Sequence, residues 1–257
     1  GAVDLDALER MVDGTVGLIA MTWIPTNGGL VNPAAEIGRI AKAHGILYLL
    51  DACQAIGQMP VNVNELQCDF LSATGRKFLR GPRGTGFLYI RKERLAELEP
   101  AMIDHFGAPW TAANSYTLRD DARRFETWEN AYALRAGLGA AVDYALEIGL
   151  DDIQVRAWGL ADELRGKLSE VPGARIRDIG RETCAIVSFT IDGLDPRETV
   201  AALRDQRINI GASSPDSTRL DSEARGLPIL LRAAPHYYNT SEELDRLIMA
   251  LTALPRR

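Results

Sequence analysis

The chain has 257 residues, enough for one large domain or two smaller ones, and its 46% hydrophobic and 25% charged residues are ordinary for a globular protein. A formal net charge of −6 argues against a general nucleic-acid or anionic-membrane surface. The longest apolar runs, such as 45–50, are far too short to span a bilayer, and no signal-peptide pattern opens the chain.

In chain order, residues 4–14 read as a short helix, with Leu5, Leu8 and Met11 on one face and Gly14 as its stop. Residues 16–24 read as a buried strand, and 25–29 (P-T-N-G-G) as a turn cluster. Asn32 is expected to cap a helix with Pro33 at its first position and Gly45 past its end. An apolar run, 46–50, then delivers Asp51, with Gln54 three residues on. A second run, 70–73, delivers Lys77 just before a Gly/Pro-rich turn. Strand, helix and strand in succession predict an α/β fold with a largely parallel sheet. Residues 129–146 form a long predicted helix leading out of this region, and 151–168 another, capped by Asp151. The pattern then shifts to strand 185–191, helix 196–206, strand 208–212, a loop 213–226 rich in Ser, Asp and Arg, and strand 229–232. A last helix starts at the T-S-E-E capping box, 240–243. The expected division is a large domain, 1–147, and a small one, 148–257. Cys53, Cys68 and Cys184 have neither disulfide-framework nor metal-ligand spacing, and the histidines at 44, 105 and 236 are scattered, so the expectation is a metal-free protein of a reducing cytoplasm.

An acid, an amide and a lysine at the ends of neighbouring strands stand where open α/β sheets place their ligands. The arrangement suits a cofactor that needs a carboxylate at one end and an amine at the other, such as pyridoxal phosphate (PLP). The runs D-A-C-Q (51–54), S-A-T-G-R-K-F (72–78) and G-P-R-G-T-G-F-L-Y (81–89) resemble the signature of class V, fold-type I PLP enzymes. That group contains cysteine desulfurases, isopenicillin N epimerase-like proteins, kynureninases and several C–S lyases. The similarity extends over nearly the whole chain. It implies a large domain with a mainly parallel central sheet, a small C-terminal α+β domain, and a homodimer with shared active sites. Enzymes of the resembled family run longer than this chain, with a cofactor-binding segment upstream of the position of Gly1, so 1–147 is expected to be the C-terminal part of the large domain.

The resemblance implies a role for each matching residue. Lys77 would be the Schiff-base lysine, its pKa depressed with the help of Arg76 and a cationic neighbourhood. Asp51 would pair with the pyridinium nitrogen and Gln54 with the phenolic oxygen. Thr74 and Arg76 sit at phosphate-contact positions, Arg76 standing where histidine is frequent. Asn27 matches a position near the phenolic oxygen and the substrate. Thr127 and Trp128 resemble the segment that crosses a dimer to the partner's phosphate. Arg232, in L-L-R-A-A-P-H-Y-Y-N-T, resembles the arginine that grips a substrate α-carboxylate. His236 and Asn239 are expected to shape that turn. Each residue also has a plainer reading. Lys77 could be a solvated lysine, Asp51 a helix cap, Gln54 a polar residue of a helix's first turn, and Asn27 a turn former. Likewise 76–83 could be a solvated basic turn, Trp128 a core residue, and Arg232 one half of an internal salt bridge.

In the resembled family, cysteine desulfurases carry a cysteine on a mobile loop. The matching loop, 213–226, has none, and Cys184 lies at a strand edge, so desulfurase activity is not expected. Epimerisation, transamination and β-elimination stay open. The run R-F-E-T-W-E-N (124–130) resembles the C–S lyases of ergothioneine biosynthesis, which act on hercynylcysteine sulfoxide. A non-catalytic ligand-binding or dimerising module is the alternative of another class.

Overall fold

The computed structural model describes residues 1–256. Helix α1 (Leu5–Met11) is capped by the Asp4 side chain, which accepts from the Ala7 N–H. It ends well short of Gly14, because Asp13 turns the chain by accepting from both the N–H and the hydroxyl of Thr15. Leu5 and Leu8 pack on the core, whereas Met11 is 74% exposed.

Strand β1 (Leu18–Thr22) is an edge strand with alternating exposure, not the buried strand expected over 16–24. Only the two residues after it, Trp23 and Ile24, are fully inside. Asn32 does not cap α2 (Ala34–Ala43), since Pro33 occupies the cap position. Its amide instead accepts from the Val3 N–H (3.2 Å) and donates to the Thr22 carbonyl (2.9 Å), tying the entry of the chain to the end of β1. Gly45, with φ +67°, does follow the helix end and turns the chain into β2 (Leu47–Asp51).

A short helix α3 (Val63–Leu66) then leads to β3 (Phe70–Thr74) and β4 (Gly86–Ile90). The sheet order is β1-β2-β3-β4, with β1, β2 and β3 parallel and β4 antiparallel to β3. The C-terminal ends of β1, β2 and β3 therefore share one edge. A small hairpin follows, β5 (Trp110–Ala112) with β6 (Ser115–Tyr116).

Helices α4 (Tyr132–Ile148) and α5 (Leu150–Ser169) are separated by Gly149 alone, whose φ of +94° makes the corner. Asp151 is not the cap of α5. It lies in the first helical turn beside Asp152, where both carboxylates favour the positive end of the helix dipole. A second sheet has the order β7-β8-β10-β9 and is wholly antiparallel, built from β7 (Ala174–Ile176), β8 (Val187–Ile191), β9 (Gly211–Ser213) and β10 (Leu230–Ala233). Helix α6 (Pro196–Asp205) joins β8 to β9 and is capped by Asp195. The predicted loop 213–226 is largely helical: one turn at Pro215–Thr218 and then α7 (Arg219–Arg225), closed by Gly226 at φ +57°. Ser214 stands before its first turn, Asp221 pairs with Arg225 within α7, and Gly226 ends it, residue types that composition alone reads as loop. Helix α8 (Ser241–Ala253) begins with the predicted capping box, Thr240 with Glu243.

The core is continuous between the two sheets. Tyr48, Leu50 and Leu71 of the first sheet, Leu160 and Leu164 of α5, and Phe189 of the second belong to one buried apolar cluster. Each such side chain contributes on the order of 1.5–3 kcal/mol through burial. Two polar joints cross it. Gln58 is 0% exposed; its amide donates to the Gln54 carbonyl and accepts from Trp158 Nε1 (3.1 Å) and the Ala185 N–H (3.2 Å). Asp178 accepts from the Gly29 N–H (3.1 Å), from Ser188, and from Arg165 Nε (2.9 Å). Gly29 is required there: a Cβ would come within 2.5 Å of Arg165 Nη2 and of the Ile186 carbonyl oxygen. No described helix is long and apolar enough to cross a membrane.

Candidate active site

Lys77 sits on a turn placed by the end of β3. The Arg80 N–H closes the turn onto the Lys77 carbonyl (2.9 Å), and the Gly81 N–H donates to the Gly75 carbonyl (2.7 Å). The turn backbone packs on Gly57, where a Cβ would lie 2.3 Å from the Leu79 nitrogen, and Gly57 itself has φ +88°. Only glycine allows that approach.

The Lys77 turn forms one wall of an open cavity of about 370 Å³. Gln54, Arg76, Lys77 and Arg232 line it, together with Thr26, Phe78, Ala234 and His236. Thus the C-terminal edge of the parallel strands faces the end of β10. Burial holds the Lys77 ammonium below the ordinary lysine value of 10.5. Cys53 and Asp51 oppose that shift, and the cations Arg76 and Arg232 add to it. Desolvation, not the cationic neighbourhood, is thus the main cause. Asp51 acts on Lys77 from the end of β2, and its Oδ1 accepts from the Cys53 N–H (2.9 Å). No helix starts at Asp51, the next being α3 at Val63, so the cap reading of that residue and the helical-turn reading of Gln54 both fall away. Gln54 is buried, and its amide donates to Thr26 Oγ1 (3.1 Å).

Arg232 leaves the second sheet opposite Ser188 and Gly211. Its Nε is buried and has no hydrogen-bond partner among the described residues. Burial pushes its pKa down, against the ordinary preference of a guanidinium for its charge. An internal salt bridge is therefore not what holds it: among the described residues its buried Nε has no acceptor, and the residue lines the lysine's cavity.

The other expected residues lie off the cavity wall. The Thr74 hydroxyl donates to the Thr85 carbonyl (3.3 Å). The Asn27 amide nitrogen donates to Thr218 Oγ1 (3.0 Å) and the Ser214 carbonyl (3.4 Å), fastening the 25–29 turn to the segment before α7. Thr127 lines a separate groove with Thr85, Phe87 and Leu134. Trp128 is 58% exposed, edge-on to Phe106, which overturns the core-packing alternative. Three wall residues, Thr26, Phe78 and Ala234, escaped the sequence reading. His236 was read there only as a turn former, yet it also lines the cavity. Their signal was adjacency, since each lies within two residues of a residue already singled out.

Residues 1–247 match the model of the aminotransferase class-V family. The chain belongs to that family. A protein of Methanothermobacter thermautotrophicus named "Probable cysteine desulfurase" is 36% identical over 253 residues, covering 96% of this chain and 62% of its own length. The apo structure of a cysteine desulfurase from Thermococcus onnurineus NA1 superposes with a TM-score of 0.91 at 29% identity, covering 98% of this chain and 63% of that one. A complex of a cystine C–S lyase with its reaction product, cysteine persulfide, gives a TM-score of 0.85 at 26% identity, over 97% and 64%. The chain thus spans about three fifths of the length of the relatives it matches. Both the α/β fold with parallel strands and the class-V, fold-type I assignment follow from these matches. PLP is the cofactor of class-V enzymes.

The cavity fits that group. A desolvated amine and an amide line it from two loops, the Asp51 carboxylate acts on the amine from the end of β2, and Arg232 completes the wall. Among the described residues no cluster of His, Cys, Asp or Glu is placed to hold a metal.

Proposed function

We propose that this chain carries the catalytic lysine and the substrate clamp of a PLP-dependent C–S lyase, which cleaves an S-substituted cysteine by β-elimination. The products are a sulfur compound, pyruvate and ammonia. The observation that carries the reading is Arg232: a half-buried arginine whose buried Nε has no partner among the described residues, on the wall of a desolvated lysine's cavity, calls for a small anion that also bears an amine. An α-amino acid is such a molecule.

When bound, PLP supplies the electron sink that makes the α-proton of an amino acid acidic. Lys77 and the cavity edge would hold it, with Asp51 at the ring nitrogen, Gln54 at the phenolic oxygen, and Thr74 and Arg76 towards the phosphate. Gln54 has a second amide hydrogen beyond the one given to Thr26. Arg232 receives the α-carboxylate as a fork of donors and so fixes which bond at the α-carbon faces Lys77. Burial lowers the Lys77 pKa and so favours the uncharged amine, whose Nζ can take the α-proton. The Cβ–S bond then breaks with its electron pair leaving on sulfur. Aminoacrylate remains and hydrolyses to pyruvate and ammonia.

The relatives' names favour a persulfide-forming desulfurase as the second reading. Such an enzyme needs a thiolate acceptor. Cys68 and Cys184 are fully buried, and burial pushes the Cys184 thiol up to about 12. Cys53 is half-buried, its thiol also pushed up by burial and by Asp51. No cysteine lies in the segment carrying α7. The chain's thiols therefore support elimination. A cysteine sulfoxide such as hercynylcysteine sulfoxide, the substrate implied by the 124–130 run, is the finer proposal. The exposure of Thr127 and Trp128, in a groove separate from the Lys77 cavity, supports our reading that they serve a partner's site in a homodimer. We also retain 1–147 and 148–257 as the two domains and the cytoplasm as the location.

The test is an absorption spectrum with added PLP, beside Lys77→Ala, followed by product analysis. A visible band in the parent alone, with pyruvate from S-substituted cysteine sulfoxides, is expected. Alanine in place of pyruvate would indicate the desulfurase. A keto-acid-dependent return of amine would indicate an aminotransferase, and a band of equal strength in Lys77→Ala would refute the lysine.

A further inference from the structure

We propose that His236 is a positioning residue for Lys77: its imidazole holds the turn that aims the amine and locks that turn to the strand end bearing Arg232. The inference rests on the roles given above to Lys77 and Arg232 and adds to them the part that fixes their separation.

The turn Lys77–Arg80 is closed by its own backbone bond, from the Arg80 N–H to the Lys77 carbonyl. Such a turn leaves its central peptide without a partner inside the turn. The carbonyl of that peptide, on Phe78, lies 2.8 Å from His236 Nε2. A carbonyl oxygen can only accept, so Nε2 carries the hydrogen. The other ring nitrogen, Nδ1, accepts from the Tyr237 N–H (2.9 Å). Two backbone groups thus fix both the tautomer and the orientation of the ring. The His236 N–H donates in turn to Asn239 Oδ1 (2.8 Å), which pins the backbone beneath the ring.

Packing completes the clamp. The ring stacks on Tyr238 with centroids 4.7 Å apart and 11° between planes, and lies tilted against Phe78 at 5.3 Å. His236 is 6% exposed. The Arg80 guanidinium lies over the Tyr237 and Tyr238 rings, at 5.1 and 5.5 Å from their centroids. Burial, helped by Arg80, holds the imidazole below its ordinary value of 6.5. The neutral form persists, as both hydrogen bonds require. A residue that merely filled space would not need both nitrogens committed to backbone on two different segments. His236 also lines the cavity with Lys77 and Arg232. The ring is therefore the rigid link between a turn of the first sheet and a strand end of the second. Misplacing a catalytic group by about 1 Å costs up to roughly a hundred-fold in rate.

The experiment uses the full chain, with PLP, and three variants. His236→Phe keeps the ring and removes the donor; His236→Gln puts an amide N–H near the position of Nε2; His236→Asn is too short to reach Phe78. Three readouts are taken: amide hydrogen exchange across residues 77–81, the pH midpoint of the visible band, and kcat and KM separately. In His236→Phe the exchange is expected to quicken roughly ten-fold. The spectral midpoint shifts, and kcat falls on the order of ten- to a hundred-fold with KM changed far less. His236→Gln restores all three. Parent-like exchange, midpoint and kcat in His236→Phe would overturn the proposal. Should His236→Phe fail to fold, the Gln and Asn variants decide: Gln parent-like and Asn impaired supports the tie, and equal behaviour overturns it. Exchange needs no cofactor. A parent without a visible band, but with exchange that follows the hydrogen bond, therefore refutes the cofactor reading and leaves the tie standing.

Discussion

Two regions each draw an arginine out of water, and they treat it differently. Beside the 25–29 turn, Arg165 is fully engaged: Nε meets Asp178, Nη1 meets Asp162, and Nη2 donates to the Cys184 and Ile186 carbonyls at 2.8 Å each. On the cavity wall, Arg232 keeps a buried Nε with no partner among the described residues. Arg124 lies between the two cases, with an orphaned Nε but an Nη1 that donates to the Leu95 carbonyl. A buried charge that is paired holds a structure together, whereas one left unpaired lowers stability and persists where a ligand supplies the counter-charge. The contrast sets a fully engaged arginine apart from the one proposed above to bind a carboxylate.

The sharpest way to break the comparison is Arg232→Met. It removes an uncompensated charge, so the midpoint of urea unfolding should stay level or rise. Meanwhile kcat/KM for a carboxylate-bearing substrate should fall on the order of 10² to 10⁴, the worth of two charge-assisted hydrogen bonds. A large loss of stability would show that Arg232 has a structural partner after all. Asp178→Ala is the mirror experiment. It strands Arg165 and also unpairs Gly29 and Ser188, so unfolding free energy should drop by about 3–5 kcal/mol. A loss below about 1 kcal/mol would mean that water replaces the carboxylate. Gln58→Leu cuts the second polar joint and leaves the Trp158 and Ala185 donors unsatisfied, for a loss of about 1–3 kcal/mol by chemical denaturation. An unchanged midpoint would remove Gln58 from the account.

The smallest effect is in pH. The folded Lys77 sheds its proton at a lower pH than the unfolded chain does, because burial depresses its value from 10.5. Between those two pH values the unfolded state binds more protons, so Lys77 makes stability rise with pH across that window. Lys77→Met should therefore be more stable than the parent at neutral pH. The advantage should shrink as pH climbs towards 10.5, the reference value of the group. A pH-independent difference would show that the amine is not desolvated.

Much of the first sheet was readable from local pattern. The runs before Asp51 and Lys77 are short, apolar and bounded by turn residues, and each strand ends one residue past its run. The α8 capping box was equally plain, because both of its hydrogen bonds close within four residues. Asn32 misled because a cap and a tertiary tie use the same amide, and only the fold brings Val3 and Thr22 to it. The 213–226 segment misled because Ser, Asp and Gly serve helix ends as readily as loops. The expected burial of β1 failed because an apolar strand looks the same at the edge of a sheet as in its middle.

The sequence by itself determined the chemical inventory of this protein and its family: a carboxylate, an amide and a lysine at strand ends, and an arginine ending an apolar strand. These are local facts, fixed by residue type and spacing. The tertiary structure decided that the arginine shares a cavity with the lysine, that it lacks a partner there, and that Asn27 fastens a distant segment. Burial and pairing are properties of the space between chain segments, and residue order does not specify that space until the chain has folded.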